Sequence, residues 1–199
     1  MFQKNVYINR RKQLKEKIKS GLILILGNVD VPMNYTDNTY HFRQDSSFLY
    51  LFGLDFQQLA GVIDADSGEE FIFGNDIDIE DIIWMGPQIS LQEKADAAGI
   101  SKISPFNQLF TVIKNAISQG RTIHYLPPYR AENKILLAEL LGTSVSQLKA
   151  GSSLDLVKAV ISLRSVKETC EIQEIEKACV TGYQMHLTAM KMAKEGVWE

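Results

Sequence analysis

The stretch Tyr40-His41-Phe42-Arg43-Gln44-Asp45-Ser46-Ser47-Phe48-Leu49-Tyr50-Leu51-Phe52-Gly53-Leu54 decides how the chain is read. A polar knot, Arg43 to Ser47, runs directly into Phe48 to Phe52, where every residue is apolar or aromatic. Alternation would put Phe48, Tyr50 and Phe52 on one face and Leu49 and Leu51 on the other. The run is therefore expected to be a central strand, apolar on both faces and covered on both sides by helices.

Working outward, the covers are present. Val6 to Ser20 reads as a helix closed by Gly21, and Leu22 to Leu26 as a wholly apolar strand. Arg10, Arg11, Lys12, Lys15, Lys17 and Lys19 give that helix a basic surface. It is read as a solvated face, because no aromatic platform or recognised nucleic-acid fold accompanies it. Gly27 to Thr39 is rich in Asn, Asp and Pro and reads as loop. Leu59 to Ala65 and Glu70 to Phe73 read as strands joined by an Asp64–Gly68 hairpin turn. Ser90 to Ala98 reads as a helix capped by Ser90 and stopped by Gly99, and a second follows Ser104-Pro105. Arg121 to Leu126 is a further strand, ended by Pro127-Pro128, and Ala131 to Leu141 a further helix before Gly142. Alternating strands and helices with one hairpin predict an α/β fold with a mixed sheet flanked by helices. Asp155 to Leu163 reads as a short passage leading outward, and Val166 to Ala193 as one long amphipathic helix.

Composition narrows the function. The chain has 199 residues, 21 basic and 24 acidic, for a net charge of −3, so no global field recruits nucleic acid or an anionic membrane. No signal-type apolar segment opens it, and no apolar run reaches the ~20 residues that span a bilayer. Cys170 and Cys179 are about 13 Å apart along a helix axis, too far to bridge within it, and read as reduced thiols of a cytoplasmic protein.

The candidate chemistry mostly fails. Asn75 to Asp81 resembles a calcium loop, but Asp81 stands where the turn glycine belongs and Pro87 where the closing glutamate belongs, so it reads as an acidic turn. His41, His124 and His186 lack metal-ligand neighbours at any recognised spacing and are read as structural. No phosphate-cradling loop or nucleophile elbow is present. Arg43 is expected to be an anchor whose guanidinium bonds carbonyls or a carboxylate such as Asp45 or Asp55. Trp84, in Ile83-Trp84-Met85-Gly86-Pro87, reads equally as a core edge or an interface residue.

Three blocks resemble the N-terminal half of the aminopeptidase P family, Xaa-Pro aminopeptidases with a pita-bread catalytic domain. The first is Tyr40-x-Phe42-Arg43-Gln44-x-Ser46-x-Phe48-x-Tyr50-Leu51-x-Gly53 and the second is Ile83-Trp84-x-Gly86. The third is Leu163-Arg164-Ser165-Val166-Lys167-Glu168-Thr169-Cys170-Glu171-Ile172, with Ala178 and Met185-His186. The resemblance implies an N-terminal domain over residues 1–153, a linker over 154–163, and the start of a truncated pita-bread domain over 164–199. It implies a non-catalytic piece of a metallopeptidase that releases the residue before proline. Two divalent ions, commonly manganese, would be held by ligands beyond Glu199, with no metal or catalytic residue in this piece. Such domains shape homo-oligomer contacts and wall the substrate cleft, sometimes a neighbouring subunit's, and Trp84 matches the position assigned to that wall. The basic residues that usually follow this block are replaced by Pro87-Gln88-Ile89. The same fold also resembles a non-enzymatic histone-chaperone module and a creatinase-type hydrolase without metals, which remain alternative readings.

Overall fold

The computed structural model describes residues 2–76, 82–84 and 86–198. Two compact units divide the chain, Met1–Leu163 and Arg164–Glu199.

The first unit is built on a five-stranded mixed sheet. Its strands are β1 (Leu22–Leu26), β4 (Ala60–Asp64), β5 (Glu70–Phe73), β6 (Lys102–Ser104) and β7 (Ile123–Tyr125), in the spatial order β6-β5-β4-β1-β7. β1 runs antiparallel to β4 and parallel to β7, and β5 runs antiparallel to β4 and parallel to β6. The Asp64–Gly68 turn is the hairpin between β4 and β5, closed by Gly68 N–H donating to the Asp64 carbonyl. A mixed sheet flanked by helices is thus what the chain forms.

β1 occupies the place expected of Phe48–Phe52. Its Ile23 and Ile25 enter one core and Leu22 and Leu24 the other, so the strand is buried on both faces. The first core holds α1 (Lys4–Lys17), α2 (Ser46–Phe52), α3 (Leu91–Ala98) and α6 (Leu154–Ser165) against one face of the sheet. The second core holds α4 (Gln108–Ser118) and α5 (Ala131–Leu141) against the opposite face.

The run Ser46–Phe52 is a helix, not a strand. Asp45 caps it, its Oδ1 accepting from the Ser47 and Phe48 N–H groups at 2.9 Å each. Gly53 ends it in the left-handed conformation, φ 68°, with its N–H donating to the Leu49 carbonyl. An unbroken apolar run carries no period of its own, so the flanking cap and stop residues decide its conformation. Phe48 and Phe52, four residues apart, pack as a tilted ring pair with centroids 4.9 Å apart, and Leu49 turns outward.

Three further differences follow from local chemistry. α1 ends at Lys17 with Ile18 as its C-cap, and Gly21, at φ 88°, lies at the entry to β1. A Cβ on Gly21 would sit 2.5 Å from the Thr122 carbonyl oxygen. The loop Gly27 to Thr39 contains a small hairpin, β2 (Pro32–Tyr35) and β3 (Asn38–Thr39). Residues 154–163, read as a linker, belong to α6, whose Leu156, Ala159, Val160 and Leu163 are buried in the first core. The acidic turn read at 75–81 lies, from residue 77 on, outside the described residues.

The basic surface assigned to α1 is also corrected. Tyr7, Arg10, Arg11 and Leu14 share one helical face and all four are buried, while Lys12 and Lys17 stay exposed. The second unit is dominated by α7 (Thr169–Met192), which opens with a reciprocal Glu168–Glu171 capping box.

Candidate functional site

The polar knot of the quoted stretch builds one end of the sheet. Gln44, buried at 6% exposure, accepts from the Asn28 and Asp45 N–H groups at 2.7 and 2.8 Å. Its amide nitrogen donates to the Phe56 carbonyl at 2.7 Å and the Leu54 carbonyl at 3.3 Å. The one side chain thus pins the exit of β1, the start of α2 and the loop beyond Gly53. Gly27 must be glycine here, because a Cβ would sit 2.7 Å from the Leu59 carbonyl oxygen and beside Gln44.

Asn28 extends the network across the sheet. Its Nδ2 donates to the Arg43 carbonyl at 2.8 Å and to the Tyr129 hydroxyl at 3.2 Å, and its Oδ1 accepts from Asn133 Nδ2 at 3.2 Å. These partners are 105 residues apart for Asn28 and Asn133, so no local pattern could have paired them. Beside them a pocket of about 50 Å³ opens at the carboxyl ends of β1 and β7, lined in part by Leu26, Asp45, Pro127, Tyr129, Asn133 and Leu137.

Arg43 is not the guanidinium anchor that was expected. Its carbonyl takes the hydrogen bond from Asn28, and its side chain is exposed. The anchoring arginines are Arg10 and Arg11. Arg10 Nη1 donates to the Tyr50 carbonyl at 3.0 Å, and its guanidinium lies 4.0 Å from the Tyr50 ring centroid. Arg11, fully buried, donates to the carbonyls of Leu51 (2.9 Å) and Ala98 (2.8 Å) and pairs with Glu70 at 2.7 Å. Those carbonyls sit at the carboxyl ends of α2 and α3, where helices leave acceptors unmet and the dipole favours cations. Burial pulls the Arg11 guanidinium below its ordinary value, with Glu70 acting in the opposite sense.

Trp84 stands at the surface. Ile82, Ile83 and Trp84 form a helical turn in which Ile83 is 73% and Trp84 86% exposed. The tryptophan is therefore no core edge in this chain. Nor do the histidines meet: His124 bridges the Ser153 hydroxyl (2.7 Å) and the Ser20 carbonyl (3.1 Å), while His41 and His186 are exposed. Among the described residues no group of three or more His, Cys, Asp or Glu side chains could hold a metal ion. Cys170 and Cys179 are both free thiols.

The fold and its buried knot define a class, an α/β domain with a five-stranded mixed sheet between two helical layers. The family described as aminopeptidase P, N-terminal domain, matches residues 7–124, more than half of the chain. The chain belongs to that family. A probable Xaa-Pro aminopeptidase of Talaromyces stipitatus is 32% identical over 87 residues, 44% of this chain and 17% of the relative. Another from Podospora anserina is 25% identical over 139 residues, 68% of this chain and 30% of the relative. Among solved structures, aminopeptidase PepP of Pseudomonas aeruginosa superposes with a TM-score of 0.80 at 20% identity. It covers 99% of this chain and 46% of its own. Aminopeptidase P of E. coli in its low-pH form gives 0.78 at 20% identity, covering 100% and 47%. At that identity the likeness is one of fold. The chain spans less than half the length of these relatives.

Proposed function

We propose that this chain is the non-catalytic N-terminal part of a cytoplasmic, homo-oligomeric Xaa-Pro aminopeptidase, with Trp84 on the wall of a substrate cleft. The observation that carries this reading is the exposure of Trp84 at 86%, on a turn where Ile83 is also exposed, within a chain of the aminopeptidase P N-terminal family. Leaving a large apolar side chain in water forgoes roughly 2 kcal/mol of burial, which an aromatic contact with a substrate or a second subunit recovers. The flat indole face suits the ring of a proline-containing peptide. Relatives named probable Xaa-Pro aminopeptidases support the substrate class.

Metal dependence of the whole protein is part of the proposal. A zinc-substituted aminopeptidase P of E. coli, in complex with product, is among the structural neighbours, and manganese or another divalent ion is the expected cofactor. The ligands of such an ion are part of the same proposal and are assigned to sequence outside this chain. The chain's own task is then to position.

The test joins this chain to the coding sequence that follows it and assays release of the residue before proline, with manganese and with zinc. Trp84→Ala in that longer protein should lower kcat/KM by about tenfold, 1.4 kcal/mol, without moving its thermal unfolding. Metal-dependent turnover by residues 1–199 alone, or a Trp84→Ala enzyme as active as its parent, would overturn the reading.

A further inference from the structure

The pocket at the carboxyl ends of β1 and β7 lies at a topological switch point. From β1 the chain leads to α2, whose Phe48 and Leu51 enter the first core. From β7 it leads to α5, whose Leu137 and Leu140 enter the second. Neighbouring parallel strands whose connections diverge to opposite faces leave a crevice at their carboxyl ends, where open α/β sheets receive ligands. Here Pro127 and Pro128 follow β7, and proline has no N–H to continue a ladder.

The groups that share this pocket have unused hydrogen-bonding capacity. Asp45 spends Oδ1 on the two N–H groups of α2, and its Oδ2 accepts nothing among the described residues. Asn133 is 8% exposed, its Nδ2 committed to Asn28, and its Oδ1 accepts no hydrogen bond among the described residues. The Tyr129 hydroxyl accepts from Asn28 Nδ2, which leaves its proton to donate. Two acceptors and one donor therefore border one small space walled by Leu26, Pro127 and Leu137.

Charge decides among ligand classes. Among the described residues Asp45 is the one charged side chain lining the pocket, and it repels an anion. A cation meets, at Asn133, the first turn of α5, with the positive end of that helix, about half a charge. Arg130, at the N-cap of α5, and Glu132, within its first turn, lie 3.9 Å apart and offset each other. The volume of about 50 Å³ admits only a few heavy atoms.

We propose that this crevice binds a neutral head group that both donates and accepts, of the carboxamide class, carried on a short apolar stem. Its NH₂ donates toward Asp45 Oδ2 and Asn133 Oδ1, its carbonyl accepts from the Tyr129 hydroxyl, and the stem leaves past Leu26, Pro127 and Leu137. The proposal is independent of the reading of Trp84. The source of the amide is either a free small molecule or a glutamine or asparagine side chain of a peptide.

The test is a nuclear magnetic resonance titration of the 199-residue chain with propionamide, and separately with a short glutamine-containing peptide. Saturable shifts should centre on the Asn133 side-chain amide, Leu26 and Tyr129. Tyr129→Phe, at an exposed ring that the fold tolerates, should weaken binding about fivefold, the worth of one hydrogen bond. Tighter binding of the peptide identifies a side-chain source, and binding of propionamide alone a free amide. Propylammonium and propionate should bind at least tenfold more weakly. Absence of saturable shifts with both amides overturns the proposal, as does propylammonium or propionate matching propionamide, or Tyr129→Phe binding as well as its parent.

Discussion

Arg11 shows how much one side chain can hold. Its donors meet carbonyls at the ends of two helices and the Glu70 carboxylate at the start of β5, so three elements share one guanidinium. Arg11→Ala strands buried acceptors and is expected to destabilise the chain by about 3–5 kcal/mol in urea unfolding. Arg11→Lys should recover less than half of that loss, since one ammonium cannot span the fork of a guanidinium. Asp64 carries the acid sensitivity of the β4–β5 turn. Burial pushes its carboxyl up, but the Arg121 guanidinium at 2.6 Å and the Ser67 and Asp66 N–H groups together hold it below its ordinary 3.8. A depressed carboxyl contributes stability above its unfolded value and loses that contribution as pH falls through the lower, folded one. Stability should therefore decline on acidification below about pH 4. Asp64→Asn should flatten that slope and cost about 1 kcal/mol at pH 7, because the pair is partly exposed.

At the scale of elements, α2 is a seven-residue helix that its own propensity could not sustain. It persists because Asp45 caps one end, Gly53 turns the other, and Arg10 and Arg11 take the Tyr50 and Leu51 carbonyls in between. Gly53 has a second duty: a Cβ there would lie 2.1 Å from Tyr7 Cζ, against the face of α1. Gly53→Ala combines a left-handed backbone with a core clash and should destabilise by about 2–4 kcal/mol. The signals for this helix stood in the sequence at Asp45 and Gly53, yet the apolar run between them fits a buried strand equally well. α1 misled for the opposite reason. Arginine is read as surface, and only the helix ends of α2 and α3, supplied by distant sequence, make a buried arginine favourable.

At the scale of the molecule, the first unit contains the sheet and both cores, and the second is mainly α7. None of the residues of α7 is buried, and Val180, Tyr183, Met185, Met190 and Met192 are each at least 60% exposed. So much exposed apolar surface on one helix favours association. Residues 1–199 should elute from size exclusion as larger or broader species than residues 1–163. Identical apparent stoichiometry for the two would refute this. Among the described residues no helix is long and apolar enough to cross a membrane.

The sequence by itself determined the α/β class, the mixed sheet and most of its elements. Leu22–Leu26, the Asp64–Gly68 turn, the Ser90 cap and the Gly99 and Gly142 stops are local signals with local causes. The order of its motifs likewise pointed to the aminopeptidase P family, which residues 7–124 match. Tertiary structure alone decided that β1, not Phe48–Phe52, is the doubly covered strand near the middle of the sheet. It alone brought Asn28, Gln44, Tyr129 and Asn133 to one end of the sheet, and turned Arg10 and Arg11 inward while leaving Arg43 outside. The reason is physical. Period, caps and turns act within a few residues, whereas the partner of a buried polar group is chosen by whichever distant carbonyl or amide would otherwise go unpaired.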